Sequence, residues 1–158
     1  MFDQVNGLPV HVLVVHAAVV FVPLLAVLAV AFAVLPRVRS RVDWAAALLA
    51  VAAPATAGVA VLSGGAFKDR LLAQGMTAEG LAPITTHQQY GVLTFWFTVA
   101  LGVATGLLVF LARPGARSLP RAAELALSVV VVALAAVAVF YVVRTGDTGA
   151  TSVWGARG

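Results

Sequence analysis

The chain has 158 residues, of which 62% are hydrophobic and only 10% charged, with a net charge of +4. Soluble domains carry about 25% charged residues, so a water-soluble core cannot absorb this much apolar surface and a bilayer has to serve as solvent. Cysteine is absent, which excludes disulfides, cysteine-ligated iron–sulfur clusters, covalent c-type haem, thiol catalysis and thiol lipidation.

Met1-Phe2-Asp3-Gln4 has no positive n-region, and the apolar run after it is too long for a signal peptide, so a retained first span is expected. That span is read at about 9–35. Asn6 or Gly7 can cap it, Pro9 suits its first turn, Pro23 should kink it and Pro36 ends it. Its length crosses about 30 Å of hydrocarbon with some tilt. It carries two of the three histidines, His11 and His16. Ionisable side chains inside a membrane are expensive and rare, so each is a functional hypothesis by default.

Arg37, Arg39 and Arg41 fill the first connection. The second span, about 44–66, is alanine-rich, with Pro54, Thr56 and Gly58 at its middle, and small residues allow close helix packing. Ser63-Gly64-Gly65 reads as its C-terminal cap. The polar stretch 67–84 is expected outside the membrane. A short surface helix is expected near Phe67–Gln74, where Phe67, Leu71 and Leu72 share a face.

The third span, about 85–112, opens with His87. His87, Gly91, Thr94, Thr98, Gly102 and Thr105 follow one another at steps of three or four and form one helical stripe. A stripe of small and polar residues belongs against another helix, which aims His87 into the bundle. Gly102 and Gly106 make a small-xxx-small pair that fits packing within the bundle. The third connection, with Arg113, Arg117 and Arg121, leads to the fourth span, about 122–143, and then to a glycine-rich tail over 144–158.

The predicted fold is all-α, an integral membrane four-helix bundle forming one domain. A sequence pI near 10.7 would suggest nucleic acid in a soluble protein. Here the basic residues lie between apolar runs and read as topology signals, so the bilayer, not nucleic acid, is the expected partner. Short basic loops stay in the cytoplasm, which places loops 36–43 and 113–121 there and both termini on the extracytoplasmic side. All three histidines then fall in the outer half of the membrane. No internal duplication is evident.

His11 and His16 are about 140° apart around a helix and differ in depth by about 7–8 Å. His16 and His87 are therefore expected at similar depth on neighbouring helices, with His11 near the water boundary. Several chemistries are open to them. Two imidazoles on facing helices can ligate a haem b iron, with Lys68, Arg70 or Arg144 near its propionates. A metal site of two or three histidines lacks nearby carboxylates. A proton-transfer or quinone site would use His16 or His87 as the titrating group. The structural alternative has them hydrogen-bonding across helices. No serine–histidine–acid set or carboxylate pair is placed for hydrolysis, so no catalytic residues are assigned.

Leu8-Pro9-Val10-His11-Val12-Leu13-Val14-Val15-His16, His87 at the head of span three and Gly146–Trp154 together resemble a family of small four-span bacterial membrane proteins catalogued as a domain of unknown function. The resemblance covers essentially the whole chain, and the paired-histidine motif falls on His11 and His16. It implies a bacterial plasma membrane. Relatives fused to Rieske-type or cytochrome modules imply redox chemistry and a redox or respiratory membrane partner. Many members also look to have a histidine after the glycine matching Gly146, where this chain has Asp147. The expectation is one haem or related redox group held by His16 and His87, with His11 nearby, serving electron transfer. The alternative is a cofactor-free accessory or scaffold protein of a larger complex.

Overall fold

A computed structural model of the protein describes residues 4–5, 8–112 and 120–155. After two paired two-residue strands, β1 (Gln4–Val5) and β2 (Leu8–Pro9), come four long helices: α1 (Val10–Val34), α2 (Arg39–Ala73), α3 (Ala78–Leu111) and α4 (Arg121–Trp154). Each helix packs on the next in sequence and α4 closes back on α1, while α1 and α3 meet only lightly across the diagonal. All four are long and apolar enough to cross a membrane. The chain is a multi-pass membrane protein.

The interior is built from small side chains. Ala26, Ala29, Ala33, Ala46, Ala53, Ala57, Ala104, Ala135 and Ala138 are buried among Val22, Leu25, Phe32, Leu101, Leu108 and Val131. Small interior residues let helix backbones approach where lipid offers no hydrophobic drive toward association. Large apolar side chains point outward: Leu62 is 76% exposed, Val51 71% and Val27 64%. In water such a surface would aggregate; against acyl chains it is at home.

The helices run past the expected spans. With 35 residues and a rise of 1.5 Å each, α2 is about 52 Å long, well beyond about 30 Å of hydrocarbon. Residues 67–73 therefore continue α2 and do not form a separate surface helix. Gly75 stops it. With φ +85°, it receives the reversal that follows the last turn, its N–H bonds Leu72 O and the Met76 N–H bonds Leu71 O. Thr77 then caps α3, its hydroxyl accepting from the Gly80 N–H, with Glu79 in the first turn.

The expected tail is helical as far as Trp154. Its glycines do not end the helix, and within it Thr145, Thr148, Thr151 and Ser152 donate their hydroxyls to carbonyls three or four residues back. Gly149 is also packed against a neighbouring helix.

At the arginine-bearing end, Arg39 joins three helices. Its guanidinium donates to Phe32 O and Ala33 O, near the end of α1, and to the Glu124 carboxylate at the start of α4, 2.6 Å away. It also lies 5.3 Å above the Phe32 ring. Carbonyls near the end of α1, where the helix runs out of its own donors, so gain partners of opposite charge. Arg113 and Arg117 lie outside the described residues.

Candidate functional site: the histidine end of the bundle

The opposite end gathers polar side chains from all four helices. His11, the second residue of α1, reaches across to α2. Its Nδ1 lies 3.0 Å from Ala60 O and 3.3 Å from Ser63 Oγ. A carbonyl oxygen can only accept, so Nδ1 carries the proton. Gly64 makes the approach feasible: a Cβ at that position would sit 3.0 Å from His11 Cε1. Phe67, one turn further on, stacks on the same imidazole with centroids 6.4 Å apart.

His87, about two and a half turns into α3, reaches across to α4. Its Nδ1 donates to Thr145 O at 2.9 Å, with Thr148 Oγ1 at 3.5 Å. A Cβ on Gly149 would sit 3.0 Å from His87 Cε1. The inward aim read from the stripe on α3 is present: Thr94, Thr98 and Thr105 are buried, and Thr94 and Thr145 share a 2.8 Å hydroxyl contact.

The two half-buried imidazoles meet on the diagonal of the bundle. Their centroids are 6.1 Å apart and their planes nearly perpendicular, at 79°. The pair is thus His11 with His87. The expected approach of His16 to His87 is not found: His16 is exposed on the outer flank of α1, its Nδ1 2.6 Å from Val12 O of its own helix.

Two causes account for the difference. The helix arithmetic separates His11 from His16 around α1, but α1 is apolar on every side and gives no sign of which face turns inward. The expected depth of His87 also rests on a span that starts near residue 85, whereas α3 begins at Ala78.

Charged groups stand at the same end of the bundle. Lys68 Nζ donates to Gln88 Oε1 at 3.1 Å, and the Arg144 guanidinium lies 5.3 Å over the Tyr90 ring while pairing loosely with Asp147 at 3.4 Å. Among the described residues no three His, Cys, Asp or Glu side chains gather as a metal-holding group. The spacing that marks the α3 stripe does not mark Ser63, Thr145, Thr148 or Gly149 as site residues. Their signal was a hydroxyl followed directly by glycine, at Ser63-Gly64 and Thr148-Gly149, inside stretches read as a cap and a tail.

A family model described as "Predicted membrane protein (DUF2231)" matches residues 7–157. No curated protein and no solved structure matches the chain.

Proposed function

The chain belongs to the DUF2231 family of predicted membrane proteins, and on that footing we propose that its histidine end holds one b-type haem between α1 and α3, ligated by His11 and His87, for electron transfer at the membrane. The carrying observation is the imidazole pair itself. Each Nδ1–H is committed to a main-chain carbonyl, the arrangement that fixes ring and tautomer in metal-ligating histidines and leaves the Nε2 lone pair for the metal.

Spacing and ligand number support the same reading. A first-row metal bonds an imidazole nitrogen at about 2.0–2.1 Å, so opposed ligating rings have centres about 6.4 Å apart, close to the 6.1 Å here. A bare cation would look for three or four protein ligands, and no such group is found among the described residues. Haem brings four nitrogens of its own and asks the protein for two. Bound there, it would supply a one-electron ferric–ferrous couple. Lys68 and Arg144 stand at the same end as counter-charges for its propionates.

Arginine-bearing connections at the far end favour a cytoplasmic location for that end, in a bacterial plasma membrane, with the histidines toward the outer leaflet. A redox or respiratory membrane protein would be the electron partner.

The test is a reduced-minus-oxidised absorption spectrum of protein purified from haem-replete cells, with haem extraction and total metal analysis. A Soret band, an α-band that sharpens on reduction and one haem per chain are expected. A folded protein with no Soret band, or one carrying iron without haem, overturns the proposal.

One observation favours a cofactor-free scaffold instead: each imidazole already ties two helices together through its carbonyl bond and its seat on glycine. On that reading His11→Gln and His87→Gln lower stability and leave the redox function of the host untouched.

A further inference from the structure

The histidine end contains the same local arrangement twice. In the first helix pair the Ala60 carbonyl accepts from His11 Nδ1–H, and Ser63, three residues on, donates its own hydroxyl to that carbonyl at 3.1 Å. Gly64, four residues on, lies under the ring. In the second pair the Thr145 carbonyl accepts from His87 Nδ1–H, Thr148 lies 3.1 Å from the same carbonyl, and Gly149 lies under the ring. Carbonyl, hydroxyl and glycine occupy positions i, i+3 and i+4 in both.

Ring pose repeats as well. A Cβ on Gly64 would stand 3.0, 3.3 and 3.7 Å from Cε1, Nδ1 and Nε2 of His11; a Cβ on Gly149 would stand 3.0, 3.1 and 3.8 Å from the same atoms of His87. In both sockets the Cε1–Nδ1 edge faces the glycine and Nε2 is the ring nitrogen farther from it. His11 reaches from α1 to the helix after it, and His87 from α3 to the helix after it.

We infer that α1–α2 and α3–α4 are two copies of one socketed-histidine unit, related about an axis along the bundle, and that Ser63, Gly64, Thr148 and Gly149 are positioning residues that present two equivalent Nε2 lone pairs to one ligand with two opposed coordination places. The carbonyl sets the tautomer, because it can receive only a proton-bearing nitrogen. The Ser63 hydroxyl offers His11 Nδ1–H a second acceptor and donates to the Ala60 carbonyl, whereas Thr148, whose shorter bond is to Arg144 O at 2.8 Å, lies 3.5 Å from His87 Nδ1 as a more distant acceptor. The glycine sets how closely the ring seats, since any side chain there would meet it at 3.0 Å. Little else in the sequence repeats, because outside the sockets each helix only has to be apolar. This inference deepens the haem reading and depends on it for the identity of the ligand alone.

The test uses the full chain, metal- and haem-free, in lipid nanodiscs with ¹⁵N-labelled histidine. Ring nitrogen shifts then report the tautomer directly. His11 and His87 are expected to show protonated Nδ1 and unprotonated Nε2 with closely similar shifts. Gly64→Ala should move the ring signals of His11, and Gly149→Ala those of His87, each leaving the other histidine unchanged. Ser63→Ala and Thr148→Ala, which add no bulk, should shift the Nδ1 resonance of the histidine in their own socket.

Protonated Nε2 on either ring, or different tautomers in the two, would overturn the inference. So would signals indifferent to all four substitutions. Since no haem is present, these outcomes are independent of the absorption spectrum, which alone decides the ligand.

Discussion

Gly102 and Gly106 look interchangeable as a small-xxx-small pair, yet their surroundings differ. Pro54 has no N–H to give the Ala50 carbonyl, and that oxygen lies where a Cβ on Gly102 would come within 2.5 Å of it. The freed carbonyl is therefore lodged against the α3 backbone, where a weak Cα–H···O contact is available. Gly102→Ala is expected to lower thermal stability in detergent by about 1–3 kcal/mol, because a backbone oxygen cannot move aside as a side chain can. A Cβ on Gly106 would meet nothing within 4 Å, so Gly106→Ala should be neutral or slightly stabilising, by up to about 1 kcal/mol of helix propensity. The histidines divide in the same way. His11→Gln and His87→Gln each lose an interhelical bond of about 0.6–1.7 kcal/mol, whereas His16→Gln, bonded only within its own helix, should leave the melting temperature nearly unchanged. Sequence spacing identified the inward stripe on α3 because threonine and glycine contrast with their neighbours. It could not rank His11 against His16 because everything around them on α1 is valine, leucine or alanine.

At the scale of the element, helix existence was legible and helix ends were not. Four apolar runs divided by arginine and proline suffice for four spans. Where a helix stops outside the hydrocarbon depends on local devices: the positive φ of Gly75, the cap of Thr77, the packing of Gly149 against His87 in the stretch where α4 runs past its glycines. Hydrogen exchange in nanodiscs checks the last of these. Amides of residues 146–152 should be protected well above an unstructured tail, and exchange at random-coil rates there would contradict the extension of α4. The Arg39 anchor makes a second case. Lysine keeps the charge but not the planar fork that meets the Phe32 and Ala33 carbonyls and Glu124 together. Arg39→Lys should therefore destabilise by about 1 kcal/mol, a modest figure because the pair is partly open to solvent, and Glu124→Gln should lose less than Arg39→Leu.

For the whole molecule, the up-and-down order of the four helices puts Arg39 and Glu124 at one end and both histidine sockets at the other. The lack of native cysteine allows a clean test of orientation. An impermeant thiol reagent applied to intact cells should label Met76→Cys and not Ser40→Cys; the reverse pattern would put the histidine end in the cytoplasm. Most of the architecture was readable from hydropathy alone, since the bilayer permits few solutions. The site was half readable. Its residue types and its end of the bundle followed from composition and charge, while its partners depended on helix rotation and on sockets hidden in an apparent cap and tail.

The most direct measurement compares the absorption spectra of wild type, His11→Ala, His87→Ala and His16→Ala, all purified from haem-replete cells and all shown to be folded. A Soret band present in wild type and His16→Ala, and lost or shifted in both His11→Ala and His87→Ala, is the predicted result. A band that survives both of those substitutions, or that vanishes only with His16, would contradict the pairing on which the account rests.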